Sequence, residues 1–382
     1  MISAASRGLG YGIAKVPGEE GCNLSICSRS AEQKLINRPA KLIFLVPVLF
    51  FCNCYIAKQA TYLLKYNFEA QSIDRMIHDK KTDIQLKEFF DLVKEVRAFA
   101  IDSVGLKKNR NYSTYVNINK NYLVDVVSAS EKVSFDQYKW CFPIVGCVPY
   151  KGFYERKDAQ KEAAGLSKKN YDVSIDPADA FSTLGFFKDP IYSFMRNYSA
   201  FGLATVIIHE QTHATFYMKN QAQFNEELAS FVGDEGGLAF VKMKYGENSR
   251  EYQNAVLFQK DYGSYVKLLQ GLYDSLKLLY ESKKNNDIKL AEKQRMISDF
   301  QKQVSENYDQ YFRTNIFKGI GKSKINNAYI AARMTYSLDL GDFYRLYEKN
   351  GRNLKETVKF FKSIKRSKTD PAKLLKEKLS QS

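Results

Sequence analysis

The sequence predicts a mainly helical α+β chain, with one small β-sheet and a helical C-terminal region. Three observations lead there. Long stretches such as Tyr252 to Lys283 and Asp287 to Phe317 are charged, amphipathic and split at Asn285-Asn286, the pattern of a helical hairpin. Tyr112 to Val116 and Tyr122 to Val127 are short β-branched and aromatic runs, which favour strands. Phe201 to Ile208 is almost wholly apolar and leads into a polar motif whose repeat suits a buried helix. With 382 residues and 14% aromatic content, including 26 Tyr and 26 Phe, the chain has ample material for a core, and disorder is excluded.

Taken in order, residues 1–33 are foreign to the rest of the chain. Ile2 to Ala14, with Gly8 and Gly10, followed by Asn23 to Ser30 with Arg29, resembles the opening of a short-chain dehydrogenase. The resemblance ends after some thirty residues, and no further βα units come after it, so this head is expected to be a non-functional remnant. Residues 34–57 place Arg38 and Lys41 before the apolar run Leu42 to Ala57. That is the form of a signal, lipoprotein or membrane-anchor segment, with Cys52 and Cys54 at its end. It implies a cell-envelope location, membrane-anchored or periplasmic.

From Tyr55 to Leu106 the spacing of Phe89, Phe90, Val93, Val96 and Phe99 predicts helix, closed by Gly105. His78 falls among charges at a helix end. Cys141 and Cys147 bracket Pro143 and Gly146, either as a loop-closing disulfide or as two packed thiols. Ala178 to Pro190 is a mixed polar and aromatic connection suited to lining a cleft. Asn326 to Tyr347 and Leu354 to Ile364 add helices, and residues 366–382 are expected to form a loose basic tail. The formal charge of +16 invites an anionic partner, yet no nucleic-acid reader motif accompanies it, and between Arg352 and Lys378 it suits a solvated face.

Two of the three histidines fall in one motif, His209-Glu210-Gln211-Thr212-His213. On a helix, residues four apart share a face, so both imidazoles can reach one metal ion, while Glu210 can act as general base on a water held there. A catalytic zinc usually takes a third protein ligand. Phe216 and Lys219 exclude the metzincin continuation, which leaves a carboxylate from a following helix. Glu226, in Asn225-Glu226, is preferred, with Glu227 and Glu235 as rivals; Glu227 points about 100° around the helix from Glu226.

Four segments in this order, WCFPIVGCVPYKG, DAFSTLGFFKDP, IHEQTHATFYMKNQAQFNEELASFVG and INNAYIAARMTYSL, resemble a family of bacterial zinc aminopeptidases related to thermolysin-like peptidases. The resemblance covers residues 42–365. It implies a zincin-like peptidase domain over 58–365, with His209, His213 and Glu226 as zinc ligands and Glu210 catalytic. A peptide would be the substrate, and Tyr336 is the candidate donor to the oxyanion. The GxMEN-type segment that many such aminopeptidases use to hold the substrate amine is absent. The alternative from another class is a membrane-anchored, non-catalytic protein with a structural metal site. An NAD(P)-dependent short-chain dehydrogenase ranks third.

Overall fold

The computed structural model describes residues 54–142, 146–179, 189–218, 221–334 and 340–381. The dehydrogenase-like head, the apolar run up to residue 53, Tyr336 and most of the connection at 180–188 lie outside them. The described chain is mainly helical with small sheets, as the sequence predicts. It divides into two compact units, one comprising Tyr122–Phe181 and Gln253–Ser337, the other 54–121, Ser182–Tyr252 and Leu338–Ser382.

The second unit opens with α1 (Cys54–Glu69), β1 (Gln71–Ser72), α2 (Ile73–His78) and α3 (Ile84–Asp102). The single helical stretch expected from Tyr55 to Leu106 is therefore cut twice. Ser72 and Asp83 each accept a backbone N–H from the next turn, from Arg75 and Leu86, and so start new helices. Gly105 closes the segment at φ +81°, a conformation that a side chain resists. β2 (Thr114–Val116) pairs antiparallel with β1 and parallel with β8 (Ile191–Tyr192). The two runs at 112–127 are both strands, but they belong to different sheets.

In the other unit, β3 (Val124–Ser130) is central. It pairs antiparallel with β6 (Tyr150–Phe153) and β7 (Asp172–Ala178), Val126 standing opposite Gly152 and Asp176. β4 (Trp140–Phe142) and β5 (Gly146–Val148) form a hairpin joined by the Cys141–Cys147 disulfide. Helix α4 (Arg156–Lys168) packs on β3 and β7. All seven residues of β3 are buried, Asp125 included, and Arg156 and the Tyr122 hydroxyl answer that carboxylate.

Between them in sequence, and wholly in the second unit, come α5 (Ala200–Thr215) and α6 (Ala222–Tyr245). The first unit resumes with α7 (Arg250–Glu281) and α8 (Asn286–Glu306), the expected hairpin, in which Asn285 caps α8, although α8 ends at Glu306 and not at Phe317. A one-turn α9 (Tyr308–Tyr311) comes next, and then α10 (Asn327–Met334). Two buried ion pairs tie this unit together, Lys293 with Asp172 and Arg333 with Asp176. The Asn327 amide links the same corner by donating to the carbonyls of Glu131 and Ser134.

The second unit ends with α11 (Gly341–Lys349), α12 (Leu354–Ile364) and α13 (Pro371–Ser380). The tail expected to be loose is thus helical over its last turns. Asp370 accepts from the Lys373 N–H, Pro371 opens the helix, and Leu375 is buried as α13 packs on α11. Among the described residues no helix is long and apolar enough to cross a membrane.

The core of the second unit is the antiparallel pair α5 and α6. Ser199 caps α5 by accepting from the Gly202 N–H, and Phe201, Leu203, Val206, Ile207 and Ile208 are all buried. Such side chains contribute about 1.5–3 kcal/mol each when removed from water. What lets α6 approach is a set of glycines. A Cβ on Gly233 would stand 3.0 Å from His209 Cβ and 3.1 Å from the Thr205 carbonyl oxygen. One on Gly236 would stand 3.0 Å from two carbons of Ile208, and one on Gly237 2.5 Å from Thr205 Oγ1. Gly233 lies two turns beyond Glu226 on the same face, so the glycine contact and the carboxylate address the same side of α5.

In an open helical position, replacing glycine by alanine gains about 1 kcal/mol, whereas overpacking a tight contact costs about 1–3 kcal/mol. Gly271 in α7 has nothing within 4 Å of its ideal Cβ, so Gly271→Ala should raise the denaturation midpoint. Gly233→Ala meets backbone that cannot rotate away and should lower it. Opposite signs in urea unfolding of the two variants are the expected result.

Candidate metal centre

His209 and His213 stand one turn apart in the last half of α5, and Glu226 reaches them from the first turns of α6. The two Nε2 atoms are 3.1 Å apart, with the rings at 74°. His209 Nε2 lies 3.5 Å from one Glu226 oxygen, and His213 Nε2 lies 3.3 Å from the other. One ligand atom from each residue can be chosen so that all lie within 4.8 Å of one another, the pattern of a group that can hold a metal ion. The His209 side chain is 3% exposed and that of His213 16%, so the centre is reached from the C-terminal end of α5.

The connection between the helices is built to deliver Glu226. Phe216 ends α5, its N–H donating to the Thr212 carbonyl. The buried Asn225 amide then pairs with a single residue of the link. Its Oδ1 accepts from the Met218 N–H at 3.0 Å, and its Nδ2 donates to the Met218 carbonyl at 2.8 Å. Each such group left unsatisfied when buried costs about 1–3 kcal/mol, so Asn225 holds the turn, and with it the adjacent Glu226, in one position. The C-terminal end of α5 is secured in parallel. Lys107 N–H donates to Thr215 Oγ1, and the Lys365 ammonium donates to the Thr215 carbonyl, a cation where the helix dipole favours one.

The remaining candidates separate clearly. Glu210 is next to His209 on α5 and is buried, standing about 100° around the helix from it. Glu227 is buried beside Glu226 and accepts a hydrogen bond from Gln223 Nε2. Glu235 lies outside the group of His209, His213 and Glu226, beside Tyr344 and Tyr347 of α11. His78 ends α2 with a ring nitrogen against the Asp74 carbonyl and takes no part. Tyr336 is outside the described residues. Gly233, Gly236, Gly237 and the Asn225 amide have roles that sequence reasoning missed. The glycines carried a usable signal, since Gly233 and Gly237 repeat the helical face of Glu226.

Asp234 and Glu235 are adjacent on α6, and removal from water raises both carboxyls, Asp234 to about 7 with the added repulsion of Glu235. An unfolded Asp titrates near 3.9, so between about pH 4 and pH 7 the folded chain holds the extra proton. Its contribution is fully present below the unfolded value and is lost as pH rises through the folded one. Stability should therefore decline over that window, and Asp234→Asn should flatten the decline in denaturation midpoints measured from pH 4 to pH 8.

The chain matches the family model described as "Putative aminopeptidase" over residues 54–378, most of its length and all of the elements that build this centre. Comparison with curated proteins finds no match, and neither does comparison with solved structures. The chain belongs to that aminopeptidase family.

Proposed function

We propose that the chain is a zinc-dependent, zincin-like peptidase, in which His209, His213 and Glu226 hold the metal and Glu210 serves as general base. The observation that carries this reading is the convergence of the three side chains, with one ligand atom from each within 4.8 Å of the others. The two Nε2 atoms stand 3.1 Å apart and face different oxygens of Glu226 at 3.5 and 3.3 Å, each close to the spacing of about 3.3 Å between ligands that sit ~2.0–2.1 Å from a tetrahedral zinc. Two imidazoles with one carboxylate is also a donor set that catalytic zinc takes.

Bound zinc supplies a Lewis acid that acidifies a water molecule and polarises the scissile carbonyl. Glu210, adjoining the ligands on a rigid helix, accepts the proton from the attacking water on a carboxylate oxygen. It then delivers that proton to the departing amine. The apolar flank from Phe201 to Ile208 excludes bulk water from the inner end of the centre, which strengthens each charge interaction there. The family description supports a peptide substrate attacked from its amino end. The Cys141–Cys147 disulfide supports an oxidising, cell-envelope compartment.

Zinc content and cleavage of a peptide library should be measured together on the wild type and on Glu210→Gln. The variant should retain zinc while kcat falls about 10²–10⁴-fold, the range for loss of a general base. Chelation should abolish wild-type cleavage, and added zinc should restore it. Equal cleavage by both proteins removes Glu210 from the mechanism. Bound zinc without any cleavage by the wild type supports the structural-metal alternative.

A further inference from the structure

The geometry points to Glu227 as the group that binds the protonated α-amine of the substrate. The inference rests on the peptidase reading and adds an exopeptidase determinant to it. Its basis is the handedness of the α5–α6 pair.

The contacts establish how the two helices face one another. Glu226 meets His209 and His213, while Gly233 is tight against His209 and Thr205. Gly236 is tight against Ile208, with Leu354 of α12 at 3.6 Å from the same ideal Cβ. Ile208 stands about −100° from His209 on α5, and Gly236 stands about −80° from Glu226 on α6. Negative rotation on both antiparallel helices therefore leads to one side of the pair, and that side is covered by α12. Positive rotation on both leads to the other side. Glu210 is about +100° from His209, and Glu227 is about +100° from Glu226. Both carboxylates thus flank the metal ligands on the same side. Ala214, about +100° from His213, is solvent-exposed there, so this side opens toward the accessible end of the centre.

This is where an aminopeptidase needs a counter-charge. In an N-terminal residue the ammonium nitrogen is two bonds from the scissile carbonyl carbon, about 2.5 Å away. Its anchor must therefore be a near neighbour of the metal ligands. Glu227 is the residue after a ligand, with its Cα about 3.8 Å from that of Glu226. Gln223 Nε2 donates to its Oε1 at 2.9 Å, which fixes the orientation of the carboxylate. The GxMEN-type segment that would otherwise provide an amine anchor is absent from the sequence.

The test compares one peptide with its N-acetylated form, on the wild type and on Glu227→Gln, with zinc content and denaturation midpoint recorded for each protein. The wild type should prefer the free amine by about 10–100-fold in kcat/KM, as expected for a charge-assisted hydrogen bond. In Glu227→Gln, which keeps an acceptor for Gln223, that ratio should fall toward one, mainly through KM, with zinc retained. Two results overturn the assignment: a wild type that cleaves both peptides equally, or a variant that loses activity on both in proportion and so keeps the ratio. A wild type with no zinc-dependent cleavage of either peptide overturns the peptidase reading itself, and the amine site with it.

Discussion

The close approach of α5 and α6 is the constraint on which the rest of the candidate site depends. One ligand atom from each of His209, His213 and Glu226 lies within 4.8 Å of the others, and the three side chains come from two helices joined by a short link. Gly233, Gly236 and Gly237 remove the side chains that would separate the helices, while Ile208, His209 and Thr205 occupy the space. Because packed interiors have few voids, one methyl group at such a contact is felt as displacement of a whole helix. The same contact also sorts the flanking residues into a side under α12 and an opposite side that carries Glu210 and Glu227.

Burial of this centre sets the demands on its surroundings. An imidazole pair and a carboxylate removed from water are costly unless they meet complementary charge or a metal. The nearby chain responds with tethers that leave little freedom: Asn225 clasping Met218, Lys107 on the Thr215 hydroxyl, and Lys365 on the Thr215 carbonyl. An aromatic group supports α6 from behind, with Phe231 against Phe343, Tyr344 and Tyr347. Asp234 and Glu235 run the other way, since their raised carboxyls mean that the fold loses stability as they ionise. The first unit handles its buried charge differently. There, Lys293–Asp172 and Arg333–Asp176 are buried but paired, and the Arg333 guanidinium lies 3.3 Å over the Tyr329 ring.

Much of this was legible from residue order because it is local. Helical period identified α5, α7, α8 and α12, and β-branched composition identified β2 and β3. His209 and His213 needed only their four-residue spacing. Local signals were weaker wherever a partner distant in sequence decided the outcome. The sequence predicts one small sheet, yet β2 pairs with β8, more than seventy residues along, and β3 with β6 and β7 in another. The stretch from Tyr55 to Leu106 read as continuous because its apolar spacing persists. The interruption at Gln71–Ser72 is a strand held by Thr114 and Tyr115. The basic tail read as loose on charge, but Leu375 gives α13 a face to bury.

By itself the sequence determined the motif, the candidate ligand types and the helical character of most of the chain. These come from periodicity and from the few residues able to bind a metal, of which histidine is scarce here. It also limited the third ligand to a small set of carboxylates after residue 213. Only the tertiary structure brings one of them, Glu226, to the histidines, because that depends on the rotation and separation of α6 against α5. That rotation turns Glu226 toward the histidines, Glu235 toward Tyr344 and Tyr347, and Glu227 to the side of Glu210. Neighbours on one helix differ by about 100°, so a one-residue difference in sequence becomes a difference in face, and packing alone decides which face meets the histidines.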